Sequence, residues 1–237
     1  MGPDYLLITC EHGGNAVPVR YRHLFHELQP HLETHAGYDI GALAMAKALA
    51  KSLDAPLVTS TVTRLLVDLN RSSHHGRLHA EAIRKSPREM REQILAGHYL
   101  PYRMQVESLV SKATARGKRV IHVSSHSFTP KLHGKVRTAD VGLLYDPARP
   151  GEVRMCEKWK AALQQCAPHL RVRRNYPYQG KDDGFMPYLR KKFRPARYVG
   201  IEIEVNQAIV LGPSRQWSAL RAAIIDSLRH VLASKQA

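Results

Sequence analysis

The 237-residue chain holds only three cysteines, four phenylalanines and two tryptophans. Cys10, Cys156 and Cys166 are an odd number without paired metal spacing, which argues against a disulfide framework and fits a reducing cytoplasm. So few Phe and Trp leave little material for stacking nucleic-acid bases. Acidic residues are also scarce, 20 Asp and Glu against 36 Lys and Arg, for a formal net charge of +16. The basic residues are spread along the chain, and the densest runs, RVRR at 171–174 and RKKFRPAR at 190–197, accompany no nucleic-acid motif. A solvated basic surface that attracts small anions is therefore the expectation, rather than specific nucleic-acid binding. No apolar run approaches the roughly 20 residues that span a bilayer. Nor does the N-terminus show a basic region, an apolar core and a small-residue cleavage site in succession, so no signal peptide and no membrane association are expected.

What is present is a globular composition, 43% hydrophobic and 24% charged, in a chain long enough to bury a substantial core. The short apolar runs 6–10, 119–127, 141–146 and 198–206 and the β-branched stretch 56–70 predict strands. The Ala/Leu-rich segment 39–53, the periodic segment 80–115 with breaks at Pro87 and Pro101, and the segments 150–166 and 217–234 predict helices. Strands separated by helices predict one α/β domain over residues 1–237. Its sheet is expected to be mixed, mainly parallel, and covered by helices on both faces.

In such a sheet, ligands gather beyond the carboxyl ends of the strands. Glu11 and His12 follow the first run in LLITCEHGGN. Asn70 and Arg71 follow 65–69 in LVDLNRS, His126 lies in VSSHSF, and Glu202 and Glu204 lie in GIEIEVN. Imidazole nitrogens and carboxylate oxygens are the usual ligands of catalytic zinc, a nearby carboxylate manages the proton, and a guanidinium holds a carboxylate. The residues predict metal-assisted hydrolysis of an amide or ester that bears an acid group. Glu202 and Glu204, two apart on a strand, face the same side.

The ordered segments CEHGGNAVP, HAGYDIGA, LVDLNRS, HSFTP, RTADVGLLYD, NYPYQGKDDG and YVGIEIEVNQ resemble the N-formylglutamate amidohydrolase family from about residue 6 to residue 211. The resemblance implies a zinc-carboxypeptidase-like fold, one divalent metal ion, zinc, and a small acidic N-acyl amino acid as substrate. It implies metal ligation by His12 and His126. The wider carboxypeptidase pattern has a glutamate three residues after the first histidine, where this chain has Asn15, so Asp39 is the preferred third ligand and Glu11 the alternative. Glu204 matches the general base, and Asn70 and Arg71 match the segment that binds a substrate carboxylate. Arg137 is the candidate to polarise the scissile carbonyl or bind a second acid group, and Glu202 to orient another group in the substrate site. A different-class alternative is a non-catalytic basic binding protein that retains the fold. NYPYQGKDDG, dense in Gly and Asp, predicts a loop at the pocket edge.

Overall fold

The computed structural model describes residues 4–234; residues 1–3 and 235–237, the ends of the expected 1–237 domain, lie outside the described residues. The strands among the described residues are β1 (Tyr5–Cys10), β2 (Leu57–Thr59), β3 (Val120–Phe128), β4 (Lys131–Leu132), β5 (Lys135–Val136), β6 (Val141–Leu144), β7 (Val172–Arg174) and β8 (Tyr198–Asn206). Six of them form one sheet in the order β2-β1-β3-β8-β6-β7, while β4 and β5 pair only with each other. β2, β1, β3 and β8 run parallel; β6 is antiparallel to β8 and parallel to β7. The helices are α1 (Gln29–Leu32), α2 (Ala42–Ser52), α3 (Glu81–Arg84), α4 (Arg88–Ile94), α5 (Leu100–Ala115), α6 (Pro150–Cys166), α7 (Phe185–Lys192), α8 (Gln207–Val210) and α9 (Ser214–Ala233). None of these is long and apolar enough to cross a membrane.

Side-chain alternation divides the strands between two cores. Ile8 and Cys10, Ile121 and Val123, and Ile201, Ile203 and Val205 point to the face covered by α2, α6 and α9. Leu7, Val120 and Tyr198 point to the other, covered by α4, α5 and α7. The predicted α/β architecture with helices on both faces is the one observed. On the second face β1, β3 and β8 are apolar where they begin and polar at Thr9 and Glu11, Ser124 and His126, and Glu202 and Glu204, and that asymmetry positions the site.

Several local expectations change. Residues 56–70 form a strand only at Leu57–Thr59; beyond it the chain is a packed loop. Leu66, Val67 and Leu69 bury themselves in the second core from that loop, which is why the stretch reads as strand-like. Its backbone bonds to other loops, Asp68 N to Leu78 O (2.8 Å) and Ala80 N to Leu65 O (3.0 Å). The expected break falls at Pro87, which immediately precedes α4, but none falls at Pro101. A π-helical turn, Leu95–Tyr99, re-registers the hydrogen bonds so that Pro101 falls in the first turn of α5, where its missing N–H is tolerated. The basic run RVRR contributes the edge strand β7, and α7 follows the predicted pocket-edge loop; neither carries an apolar run long enough to predict it.

His122 lies wholly buried under the sheet, hydrogen-bonded to Thr9 Oγ1 (2.9 Å) and Tyr198 Oη (2.8 Å). Burial first, and then the Arg190 charge, push its pKa down to about 4. The unfolded chain therefore takes up this proton below about pH 6.5 while the fold resists it until about 4, so stability is lost as pH falls through that window. His122→Gln should flatten the acid sensitivity, removing on the order of 3 kcal/mol of the loss between pH 6.5 and 4. Urea unfolding of both proteins across that range checks this; parallel curves would refute it.

Candidate active site

On the second face the strands turn from apolar to polar toward their carboxyl ends. Thr9 and Glu11 continue from Leu7, Ser124 and His126 from His122, and Glu202 and Glu204 from Gly200. The parallel registers set Thr9 beside Ser124, Ser124 beside Glu202, and His126 beside Glu204. His12 is turned toward them by the two glycines that follow it. A Cβ on Gly13 would lie 2.8 Å from the Ser60 carbonyl oxygen, and one on Gly14 2.7 Å from that of Thr61, so the close backbone approach requires glycine. Asp39 is placed by its own N–H, which donates to the His12 carbonyl (2.9 Å). It does not cap a helix with its side chain: α2 begins three residues later, after Gly41 at φ +84°.

His12, Asp39 and His126 converge, with one ligand atom of each within 4.8 Å of the others. Asp39 Oδ2 lies 2.8 Å from His126 Nδ1 and 3.4 Å from His12 Nδ1. The opposite nitrogens face other acceptors. His12 Nε2 donates to Asp68 Oδ1 (2.7 Å), and His126 Nε2 lies 3.2 Å from Glu11 Oε2 and 2.9 Å from Ser124 Oγ. These outer partners leave both Nδ1 atoms facing Asp39. Two ring nitrogens and a carboxylate oxygen facing one another require protons or a cation between them, and two nitrogens with one oxygen are a donor set that suits a divalent metal.

The outer carboxylates are held in turn. Arg64 spans two of them, Nη1 on Asp39 Oδ1 (2.9 Å) and Nη2 on Asp68 Oδ2 (3.1 Å). Burial opposes ionisation of Asp39 and Asp68, but Arg64 and then His12 outweigh it and hold both carboxyls well below the usual range. Glu11 accepts from Tyr102 Oη (2.8 Å) and from the Ser124 hydroxyl. Burial works against its ionisation too, and the His126 contact overcomes it. His126 itself has a raised pKa: desolvation opposes its charged form, and hydrogen bonds to Asp39 and Glu11 override that.

Glu204 differs from these acids. It is 5% exposed, and its Oε2 is buried with no hydrogen-bond partner among the described residues. Burial, with Asp39 and Glu202 adding to it against the His126 charge, raises its pKa to about 8. Glu202 lies beside it, its Oε2 3.4 Å from Asn70 Nδ2 and 4.0 Å from His126 Nε2.

Asn70 and Arg71 come from the packed loop rather than a strand end. Asn70 Oδ1 accepts the Phe185 N–H (2.8 Å), and the Arg71 carbonyl accepts from Arg103 Nη1 (3.0 Å) and Tyr99 Oη (2.8 Å). The Arg71 side chain borders a cavity of about 360 Å³ with Arg64, Asp39, Asp68, Phe128 and Tyr178, its Nη1 on the Asp183 carbonyl (3.2 Å). Two expected residues, Glu11 and Arg137, sit elsewhere, as does Asn15, which stands where the wider pattern has its glutamate. Glu11 is on the far side of His126 from Asp39. Asn15 bonds Leu32 O and Glu33 Oε1, away from the cluster. Arg137 stacks on Tyr178 and is set back from the cavity wall that Tyr178 forms. Arg64, Asp68, Tyr102 and Ser124 were not among the sequence candidates. Asp68 sits inside LVDLNRS and Ser124 inside VSSHSF, so only the alternation along those motifs pointed to them.

A sequence model of the N-formylglutamate amidohydrolase family matches residues 5–211. Among curated proteins no match is found. The solved structure of a gene product from Agrobacterium tumefaciens superposes with a TM-score of 0.84 at 26% identity, over 99% of this chain and 92% of that one. That of N-formylglutamate amidohydrolase from Ralstonia eutropha JMP134 superposes with a TM-score of 0.73 at 17% identity, over 99% and 96%. The second likeness is one of fold. With the family match running from β1 past the end of β8, across every strand that contributes to the cluster, the chain belongs to the N-formylglutamate amidohydrolase family.

Proposed function

We propose that the protein is a zinc-dependent hydrolase that cleaves the N-formyl, or another N-acyl, amide of an acidic amino acid in the cytoplasm. The observation that carries this reading is the convergence of His12 Nδ1, His126 Nδ1 and Asp39 Oδ2 beside a buried, unpartnered Glu204 oxygen. His12, Asp39 and His126 would hold the ion. When bound, it would supply Lewis acidity, lowering the pKa of a water and polarising a carbonyl.

The remaining chemistry belongs to the protein. Asp68 and Glu11 fix the imidazole orientations, and Arg64 keeps Asp39 and Asp68 ionised. Arg71, its backbone clamped by Arg103 and Tyr99, presents a guanidinium at the cavity wall for the substrate's acid group. Glu202 holds the side chain of Asn70, the residue before Arg71, for a second contact to the substrate. Glu204 takes the proton of the attacking water at its free oxygen and delivers it to the departing amide nitrogen, balancing a reaction whose products are the acid and the amine. The second reading, a binding protein without catalysis, is favoured by no particular contact, and turnover separates the two. A panel of N-formyl, N-acetyl and N-succinyl amino acids, offered to protein reconstituted with zinc, tests the proposal; no turnover on any member would refute it.

His12→Ala and His126→Ala should each lose the bound ion while keeping the fold, because the cluster lies at the sheet edge rather than in either core. Metal analysis beside circular dichroism checks this, and full metal content in both variants would exclude the ligand assignment. Asp68→Asn should retain the ion but bind it about 10- to 100-fold more weakly, as removal of a partner that orients a ligand does; competition with a chelator reads the shift.

Glu204→Gln keeps size and polarity but no longer accepts the proton. It should bind metal and substrate normally and turn over at least about a hundredfold more slowly. Single-turnover kinetics decide this. Loss of metal instead would make Glu204 a ligand.

Arg71→Lys should raise KM for acidic substrates about tenfold or more without altering metal content, since an ammonium cannot reproduce the planar two-pronged contact. An unchanged preference for acidic over neutral amides would remove Arg71 from the substrate site.

A further inference from the structure

Tyr178 lies on the loop that follows β7, in the segment NYPYQGKDDG, and nothing in the proposed reaction uses it yet. The loop is tied down at several points. Asn175 Oδ1 accepts from Tyr145 N (3.0 Å) and Gly180 N (3.2 Å), Gln179 Nε2 donates to the Asn175 carbonyl (3.1 Å), and Tyr176 Oη accepts the Thr138 N–H (3.1 Å). Gly142 of β6 makes room for it, since a Cβ there would lie 1.9 Å from the Tyr176 carbonyl oxygen. A residue so placed is held by its backbone and yet, at 42% exposed, remains open to the cavity it lines with Asp39 and Arg64.

Arg137 is the group behind it. Its guanidinium sits 4.9 Å from the Tyr178 ring centroid and 5.9 Å from that of Phe128, and its Nη1 lies 3.1 Å from Tyr178 Oη. A guanidinium can only donate, so the phenol oxygen accepts and its own hydrogen remains to be given. Among the described residues no acceptor takes that hydrogen. The arginine's charge also draws electron density from the phenol, which makes it a stronger donor. Burial, and then the negative charge of Glu204, keep the phenol protonated by raising its pKa. Tyr178 lines the cavity together with Asp39, one of the three residues that converge at the cluster, so the ring borders the same space.

We infer that Tyr178 is a catalytic hydrogen-bond donor to the carbonyl oxygen of the scissile amide, and that Arg137 is a positioning residue acting through it. The inference rests on the amidohydrolase reading. As the water oxygen bonds to the carbonyl carbon, the C=O π pair moves onto oxygen and the water's proton passes to Glu204. The Tyr178 hydrogen stabilises that oxygen without leaving the phenol. When the C–N bond breaks, the pair returns to the carbonyl and the nitrogen departs with the proton from Glu204. Arg137 thus fills, at one remove, the first of the two roles expected for it from the sequence, polarising the carbonyl rather than binding a second acid group.

Tyr178→Phe keeps the ring on Arg137 and removes only the hydroxyl. With zinc-loaded protein and the best N-acyl amino acid of the panel, kcat should fall about 10²-fold while KM, metal content and thermal midpoint stay unchanged, the signature of a contact made to developing charge. Arg137→Met should also lower kcat in the otherwise wild-type protein, but change it by no more than about twofold when added to Tyr178→Phe, because both act on one hydrogen bond. A kcat within about twofold of wild type in Tyr178→Phe, a loss seen only in KM, or additive effects of the two substitutions would each overturn the inference while leaving the hydrolase intact. Absence of wild-type turnover on every N-acyl amino acid would overturn the hydrolase reading and this inference with it.

Discussion

Two imidazole nitrogens and one carboxylate oxygen are aimed at the same point, with Asp39 Oδ2 reached by His126 Nδ1 at 2.8 Å and by His12 Nδ1 at 3.4 Å. Without a shared proton or cation such groups would rotate away or spread apart, because like partial charges repel most strongly where water is excluded. The surrounding residues act against that relaxation. Asp68 and Glu11 hold the outward ring nitrogens, Arg64 holds both Asp39 and Asp68, and Tyr102 and Ser124 hold Glu11. Most of the buried polar atoms at this end of the sheet are explained by that requirement.

The same requirement accounts for an odd charge distribution. The chain has only 20 acidic residues, yet Glu11, Asp39, Asp68, Glu202 and Glu204 are all buried at one end of the sheet, with Asp39 and Asp68 lining the cavity. Most of the others are at least partly exposed, so the solvent meets a strongly basic surface around an acid-rich hole. A basic exterior draws anionic molecules toward the cavity, while Arg64, Arg71 and Arg137 at or behind its wall keep the buried acids from repelling them. Glu204 is the exception, a carboxylate whose Oε2 has no hydrogen bond among the described residues, which suits the proton-accepting role proposed for it.

Much of the framework was legible in the chain. Short apolar runs predicted β1, β3, β6 and β8 to within about two residues, because a fully buried strand must be apolar on both sides. The polar residues that interrupt those runs, His126, Glu202 and Glu204, stood out because burying them has a cost that packing does not offset. Leu65–Leu69 misled for the opposite reason: a loop folded onto a core needs apolar residues as much as a strand does, and nothing in one dimension distinguishes them. The π-helical turn before Pro101 was likewise hidden, being a change of hydrogen-bond register without a sequence signal of its own.

By itself the sequence determined the strand and helix periods, the family, and the histidines and glutamates that mark the site, since each follows from local pattern or short ordered motifs. The tertiary structure alone decided which nitrogen of each imidazole faces inward, that Arg64 bridges Asp39 and Asp68, that Glu11 supports His126 from behind, and that Tyr178 stands between Arg137 and the cavity. Apart from Arg64–Asp68, four positions apart, those are contacts between residues tens to more than a hundred positions apart. They are set by strand register and loop closure, whose energies belong to pairs of distant segments and leave no trace in either segment alone.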